Sequence, residues 1–352
     1  MTRFRYLAIL LVFFQSFSQE QSDFNIHFSG FLETYYAFDL NQPTSETKLP
    51  FMYNYNRHNE FNVNIGLLRA KVEYENTYAN IALHAGTYVD DNYANEKIKY
   101  LNEAFVGLYL DKAKKNTIEA GILPSYIGFE SATTATNLTL TRSILAENSP
   151  YFMTGIKYNY KPNLKWSFSG LVTNGWQRIN RPEKDVVPAF GTQIVYKSSD
   201  NSTLNCSTFA GKEYFGTELA MRYFSNLYWD YKWNSKWRTI VGFDYGLQDS
   251  SSKNEKHESW LSPVAMAQYS VSNKWQTAFR VEYYQDKKNI LVATADAFET
   301  LGISINADYL FNSKVKWRTE ARYLDSKEKV FVKEDDLINS NFFLTTSLSF
   351  EF

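Results

Sequence analysis

The chain ends Asn341-Phe-Phe-Leu-Thr-Thr-Ser-Leu-Ser-Phe-Glu-Phe352, and the alternation in that stretch decides the fold. Phe342, Leu344, Thr346, Leu348, Phe350 and Phe352 share one side of a period-two strand, while Asn341, Thr345, Ser347, Ser349 and Glu351 share the other. A strand with one apolar face normally serves a sheet packed on a core, yet here the chain stops on an aromatic residue. Taken alone, the stretch fits either the last edge strand of a soluble sandwich or the closing strand of a barrel in lipid.

The other end of the chain separates the two. Arg3 and Arg5 precede an apolar run from Tyr6 to Phe14, and Ser16-Phe17-Ser18 offers small residues where a signal peptidase reads. Residues 1–18 are therefore expected to be a removed signal peptide, and residues 19–352 the mature domain. No stretch approaches the roughly 18 apolar residues of a membrane-spanning helix. The one cysteine, Cys206, lies far from the cleavage site, so it neither takes a lipid there nor forms an intrachain disulfide. The terminal strand resembles the one that outer-membrane β-barrels present to their assembly machinery, with Phe350 and Phe352 as its aromatic signal.

Composition points the same way. Phe, Tyr and Trp make 17% of the chain, yet the mean hydropathy is -0.41. A chain rich in rings and hydrophilic on average is what strand alternation produces, one face apolar and the other wet. The mature chain carries 35 basic and 38 acidic residues, a balance that argues against electrostatic nucleic-acid binding. Nothing reads as a linker rich in Pro, Gly/Ser or one charge, so one continuous domain is expected.

Segments of barrel-strand length recur, tight polar turns alternating with longer connections. Tight turns near residues 76–79, 112–116, 161–164, 198–201, 234–236, 272–274 and 312–314 each follow a strand running the same way. The count comes to about sixteen strands, and the fold class expected is all-β, a transmembrane antiparallel up-and-down barrel. The third strand is expected near Asn80 to Asp90 and the seventh near Lys165 to Gln177. Between Glu60 and Glu75 the apolar parity switches: Phe61, Val63, Ile65 and Leu67 are odd, Leu68, Ala70, Val72 and Tyr74 even. A bulge near Gly66 would repair the register.

Other strands show which face meets lipid. Leu219, Met221, Tyr223, Leu227, Trp229, Tyr231 and Trp233 oppose Arg222, Asn226 and Asp230. Likewise, Arg280 and Glu282 oppose Phe279 and Val281, and Arg318, Glu320 and Arg322 oppose Trp317 and Tyr323. An Arg on the lipid face at mid-depth costs about 2–4 kcal/mol, so Arg222, Asp230, Arg280, Glu282, Arg318, Glu320 and Arg322 are expected to face the lumen. Trp233, Trp237 and Trp275 beside tight turns suit the periplasmic aromatic girdle.

The longest unpatterned connection, Pro124 to Pro150, is the third of the longer loops. A loop of this length is commonly functional, and inside a barrel it can fold inward and narrow the pore. Tyr126, Phe129, Glu130, Asn137 and Arg142 are the candidate constriction residues; the alternative is an ordinary surface loop.

These residues also carry a resemblance. Gly121-Ile-Leu-Pro124 through Ile127-Gly128-Phe129-Glu130, then Asn137, Thr141-Arg142-Ser143, Pro150-Tyr-Phe152 and Thr154-Gly155, resembles the motif after the fifth strand in the OmpL-like β-barrel porins. Arg280-Val-Glu282 with Asp286, and Glu320-Ala-Arg322-Tyr323 followed by Asp325-Ser326 and Phe331, extend it over nearly all of the mature chain. The resemblance implies passive diffusion of small solutes across an outer membrane of the Gram-negative type. The implied partners are outer-membrane lipid, the barrel-assembly machinery and small solutes or ions, with no nucleic acid and no cofactor. It leaves the solute, the ion preference and the oligomeric state open.

Other chemistry finds little support. His27 and His84 share the wet parity of their strands, while His58 and His257 fall in outer connections; no clustered His, Cys or carboxylate pattern has metal spacing. No catalytic residue is assigned. The competing reading is a structural or adhesive barrel whose lumen is filled by paired side chains.

Overall fold

In a computed structural model that describes residues 24–181, 187–250 and 256–352, sixteen antiparallel strands close into a barrel. The expected signal peptide lies outside the described residues. The barrel strands are β1 (Asn25–Asp39), β2 (Glu60–Tyr74), β3 (Thr77–Ala85), β4 (Leu101–Tyr109), β5 (Asn116–Pro124), β6 (Phe152–Tyr160), β7 (Trp166–Thr173) and β8 (Ala189–Ser199). They continue with β9 (Ser202–Phe215), β10 (Glu218–Lys232), β11 (Trp237–Asp249), β12 (His257–Ser270), β13 (Trp275–Asp286), β14 (Phe298–Leu310), β15 (Val315–Ser326) and β18 (Ser340–Glu351). A separate hairpin, β16 (Phe331–Lys333) with β17 (Asp336–Ile338), sits in the connection before β18.

The terminal strand makes the closure. Leu32 of β1 lies opposite Phe350 of β18, and Ala37 opposite Thr345. Gly30 and Phe352 exchange backbone hydrogen bonds of 2.9 and 3.0 Å. A Cβ on Gly30 would sit 2.3 Å from a carbon of the Phe352 ring, so the missing side chain is what lets the last aromatic lie flat on the first strand.

The faces sort by alternation. Leu344, Leu348, Phe350 and Phe352 are exposed and Asn341, Thr345, Ser347 and Ser349 buried; Trp233, Trp237 and Trp275 are also exposed outward beside their turns. Leaving so much apolar surface in water is unfavourable, and an outward apolar band of this kind is that of a barrel that crosses a membrane.

Four elements differ from the sequence expectation. The register shift between β1 and β2 falls at Asn64, two residues before Gly66, because Glu33 faces Ile65 and Thr34 faces Val63. The extra residue turns Asn64, Ile65 and Leu67 inward and leaves Phe61 and Leu68 outside. The third strand ends at Ala85 rather than near Asp90, since Gly86 takes φ 132° and a short helix, Thr87–Asn92, follows. The seventh stops at Thr173, after which Trp176 swings over to pack edge-on against Phe209 and Phe224. The β16–β17 hairpin, too short to show periodicity, has no counterpart in the sequence reading.

The core therefore lies inside the barrel. One cluster joins Phe51, Ile144, Trp260, Phe298, Phe331 and Phe343; a second joins Phe31, Ile65, Leu67, Tyr88, Tyr93 and Phe152. Several of these residues belong to interstrand connections, which accordingly pack against the inward faces of the strands.

Candidate pore-lining site

Alternation places three arginines and three carboxylates on the inward faces of β13, β14 and β15, all of them buried. Asp308 lies directly opposite Arg318 in the β14–β15 ladder, and the pair is bidentate at 2.8 and 3.0 Å. Arg280 reaches past β14 to Glu320 at 2.7 Å, with its Nε 3.2 Å from Glu282, and Arg322 pairs with Glu282 at 2.5 Å. Buried charges are costly unless paired and hydrogen-bonded on their remaining donors and acceptors, and the connection between β5 and β6 supplies most of those bonds, Nε of Arg280 and of Arg322 finding no hydrogen-bond partner among the described residues.

Along that connection the backbone N–H of Leu140 donates to Asn306 (3.1 Å), that of Thr141 to Glu320 (2.6 Å) and that of Ile144 to Glu282 (2.7 Å). Its carbonyls accept in return: Thr141 from Arg280 (2.6 Å), Thr134 from Arg318 (2.9 Å) and Arg142 from Arg322 (2.9 Å). Thr134 also donates to Glu33 of β1 at 2.8 Å. Toward the opposite strands, Gly128 N–H donates to Asn226 of β10 at 3.2 Å, and the Tyr126 hydroxyl to the Thr208 carbonyl of β9 at 2.6 Å. Two glycines with inward parity receive its rings. A Cβ on Gly191 would meet Tyr126 Oη at 2.0 Å, and one on Gly242 would meet the Phe129 ring at 2.5 Å.

The five candidate constriction residues thus have different surroundings. Phe129, Glu130 and Arg142 line a cavity of about 340 Å³ together with Arg69, Glu103 and Tyr228. Glu130 accepts from the backbone and the hydroxyl of Ser143. Burial pushes its carboxyl up from the usual range, opposed by Arg280 and these hydrogen bonds. Arg142 lies with its guanidinium carbon 3.7 Å from the Tyr151 ring centroid, and its Nε and Nη1 find no hydrogen-bond partner among the described residues. Tyr126 and Asn137, buried like Arg142, lie off this cavity: Tyr126 in its glycine seat, Asn137 closing a turn onto the backbone of Ser131 at 2.8 and 3.0 Å.

Of the charges expected in the lumen, Arg280, Glu282, Arg318, Glu320 and Arg322 come together. Arg222 stands apart, bonded to Gln248 at 2.7 Å and facing the Trp176 and Trp260 rings. Asp230 pairs with Arg238 at 2.7 Å near the tight turns, with β11 and β12 standing between it and Arg280.

A second cavity, of about 270 Å³, is lined by Asn92, Glu147, Ser149, Trp176, Arg178 and Arg222, on the side of the long connections. Residues 147–149 line this cavity and residues 150–151 the first, so one short stretch of chain stands between them. Glu147 holds that stretch. Its carboxylate accepts from Tyr53 N–H (2.9 Å), Asn54 Nδ2 (3.0 Å) and Tyr151 Oη (2.7 Å). The sequence reading did not single out Glu147, Asp308, Asn306 or Glu33. Asp308 was within reach from the strand register opposite Arg318, and Gly191 and Gly242 from being glycines at inward positions of otherwise regular strands; nothing in the sequence marks Glu147.

The family model described as "Putative beta-barrel porin-2, OmpL-like" matches residues 25–352. The chain belongs to this OmpL-like porin family. A search of curated proteins returned no match. Among solved structures, this porin-family chain is similar to the outer membrane channel DcaP of Acinetobacter baumannii (TM-score 0.63, 10% identity, 95% of this chain and 99% of that one covered). It is also similar to Salmonella typhi OmpF in complex with daunomycin (TM-score 0.61, 12% identity, 93% and 97% covered). A third is an anion-selective porin from Comamonas acidovorans (TM-score 0.60, 9% identity, 94% and 100% covered). At such identities the likeness is one of fold: an outer-membrane barrel.

Proposed function

We propose that this porin-family barrel passes small hydrophilic solutes by passive diffusion, without catalysis, and that the connection after β5 lies across the lumen and sets its narrowest section. The supporting observation is the pattern of hydrogen bonds from that connection, which reach β1, β9 and β10 as well as β13, β14 and β15. A strap tied to so many strands of a closed ring has only the interior to cross. Glu130 and Arg142, lining the remaining space, then carry the charge nearest the permeant path.

Reversing either charge, as Glu130→Lys or Arg142→Glu, is expected to shift the reversal potential measured across a salt gradient, and to do so still at 1 M salt. A charge in a narrow path acts at short range, whereas one on an outer surface is screened within about 3 Å at that ionic strength. Unchanged reversal potentials for both variants in a conducting channel would remove the strap from the selectivity path.

One observation favours the competing reading of a filled, non-conducting barrel: Arg280, Arg318 and Arg322 are fully buried, each against a carboxylate. The two readings part on whether the folded protein conducts at all.

A further inference from the structure

We infer that the cavity beneath the strap is a binding subsite for an uncharged polyhydroxylated solute, a saccharide, on the diffusion path. This rests on the porin reading and names its solute class. The cavity's volume of about 340 Å³ falls in the range of small-ligand sites, about 300–1,000 Å³.

Its lining charges balance, two arginines against two glutamates. Arg69 bonds Glu103 at 2.7 Å, and the second oxygen of Glu103 accepts from Asn80 at 2.6 Å. Glu130 and Arg142 also line it, each bonded elsewhere, Glu130 to Ser143 and Arg142 to the Ala146 carbonyl at 2.7 Å. An ion entering would shed hydration without meeting a net counter-charge. A sugar hydroxyl both donates and accepts, and finds at Arg69–Glu103 a donor beside an acceptor. Arg142, on the same wall, holds two buried nitrogens, Nε and Nη1, whose N–H groups no acceptor among the described residues satisfies.

The rings complete the match. Phe129 and Tyr228 meet edge to face at 5.3 Å, and Tyr88 and Tyr151 lie 5.1 Å apart, all four on the wall of this cavity. Such π faces accommodate the C–H face of a pyranose while its hydroxyls turn to these polar groups.

The test is current block by maltose added to the purified mature protein in planar bilayers. Concentration-dependent, saturable block is expected. In Tyr228→Ala the half-blocking concentration should rise at least tenfold. In Glu103→Gln, which frees the Arg69 charge, block by gluconate should appear where the parent shows none. A conducting channel that maltose leaves unblocked, or that gluconate, glucosamine or glycylglycine blocks more strongly, overturns the inference and leaves the porin reading standing. A folded protein that carries no current overturns the porin reading instead. The subsite is then judged by calorimetry with maltose in detergent, where heat of binding lost in Tyr228→Ala upholds it and no heat rejects it. If Glu103→Gln fails to give a heat-modifiable folded band, Tyr228→Ala alone decides.

Discussion

At the scale of single residues, Arg280 ties β13 to β15 and to the connection after β5. Its guanidinium bonds Glu320, the Thr139 and Thr141 hydroxyls and the Thr141 carbonyl, and lies beside Glu282. Removing one partner of a buried ion pair leaves the other desolvated, at a cost of about 3–5 kcal/mol. Arg280→Ala is accordingly expected to lower the urea stability of the refolded barrel by that order, and a loss under about 1 kcal/mol would mean that water already reaches the network. Lys48, in the connection before β2, shows a second effect. It is buried, its Nζ 4.2 Å from the Phe343 ring centroid, and burial pushes it down to about 7, with Asp39 opposing and Arg322 adding to the shift. A lysine whose folded value lies below its unfolded one holds its proton more weakly when folded, so stability rises with pH between about 7 and the ordinary lysine range and is flat below. Amide protection of residues 49–55, corrected for intrinsic exchange, should therefore be greater at pH 9 than at pH 6, by at most about 1.4 kcal/mol per pH unit above 7. Lys48→Met should abolish the difference; a difference that persists assigns it to another group. The inward parity of Arg280, Glu282, Arg318, Glu320 and Arg322 was legible because alternation against an apolar outer face has a large penalty for error. Lys48 and Glu147 were not, since each owes its setting to contacts between connections that carry no period.

At the scale of elements, the closing strand was the most readable part of the chain. Its two faces follow directly from Leu344 to Phe352, and the pairing with β1 places Phe352 over Gly30. Gly30→Leu would put a side chain where the terminal ring lies, and Phe352→Lys would put a charge on a lipid-facing position. Both are expected to reduce the amount of heat-modifiable protein reaching the outer membrane, with Gly30→Ala intermediate. Surface levels equal to the parent for Gly30→Leu would show that the ring seat plays no part in closure. The bulge in β2 was legible as a change of parity, and its position was missed by two residues because a shift of register can be absorbed at any nearby position. Asn64 was the residue chosen, and its side chain explains why: turned inward, it accepts from Tyr55 N–H at 3.0 Å and reaches both Glu33 and Asn54. The helix after Gly86 and the swing of Trp176 were hidden for the same reason as the β16–β17 hairpin. Each is a short segment whose conformation is set by what it packs against.

At the scale of the whole molecule, an apolar outward face and a connection bonded to the inward faces of the strands divide the problem in two. The outer face is a pattern repeated sixteen times, which is why strand number and topology could be read without a partner structure. The interior has no repeat. Its order comes from the connection after β5 meeting Arg280, Arg318, Arg322, Glu282 and Glu320 on one side and the glycine seats of β8 and β11 on the other. Whether this strap crosses an open pore and sets its narrowest section is decided by single-channel conductance of the refolded mature protein in planar bilayers, beside a variant lacking residues 132–139. The parent is expected to show discrete conductance steps and the deletion variant larger ones, because resistance concentrates where the cross-section is least. A folded parent that never conducts, or a deletion variant whose steps match the parent's, would contradict that proposal.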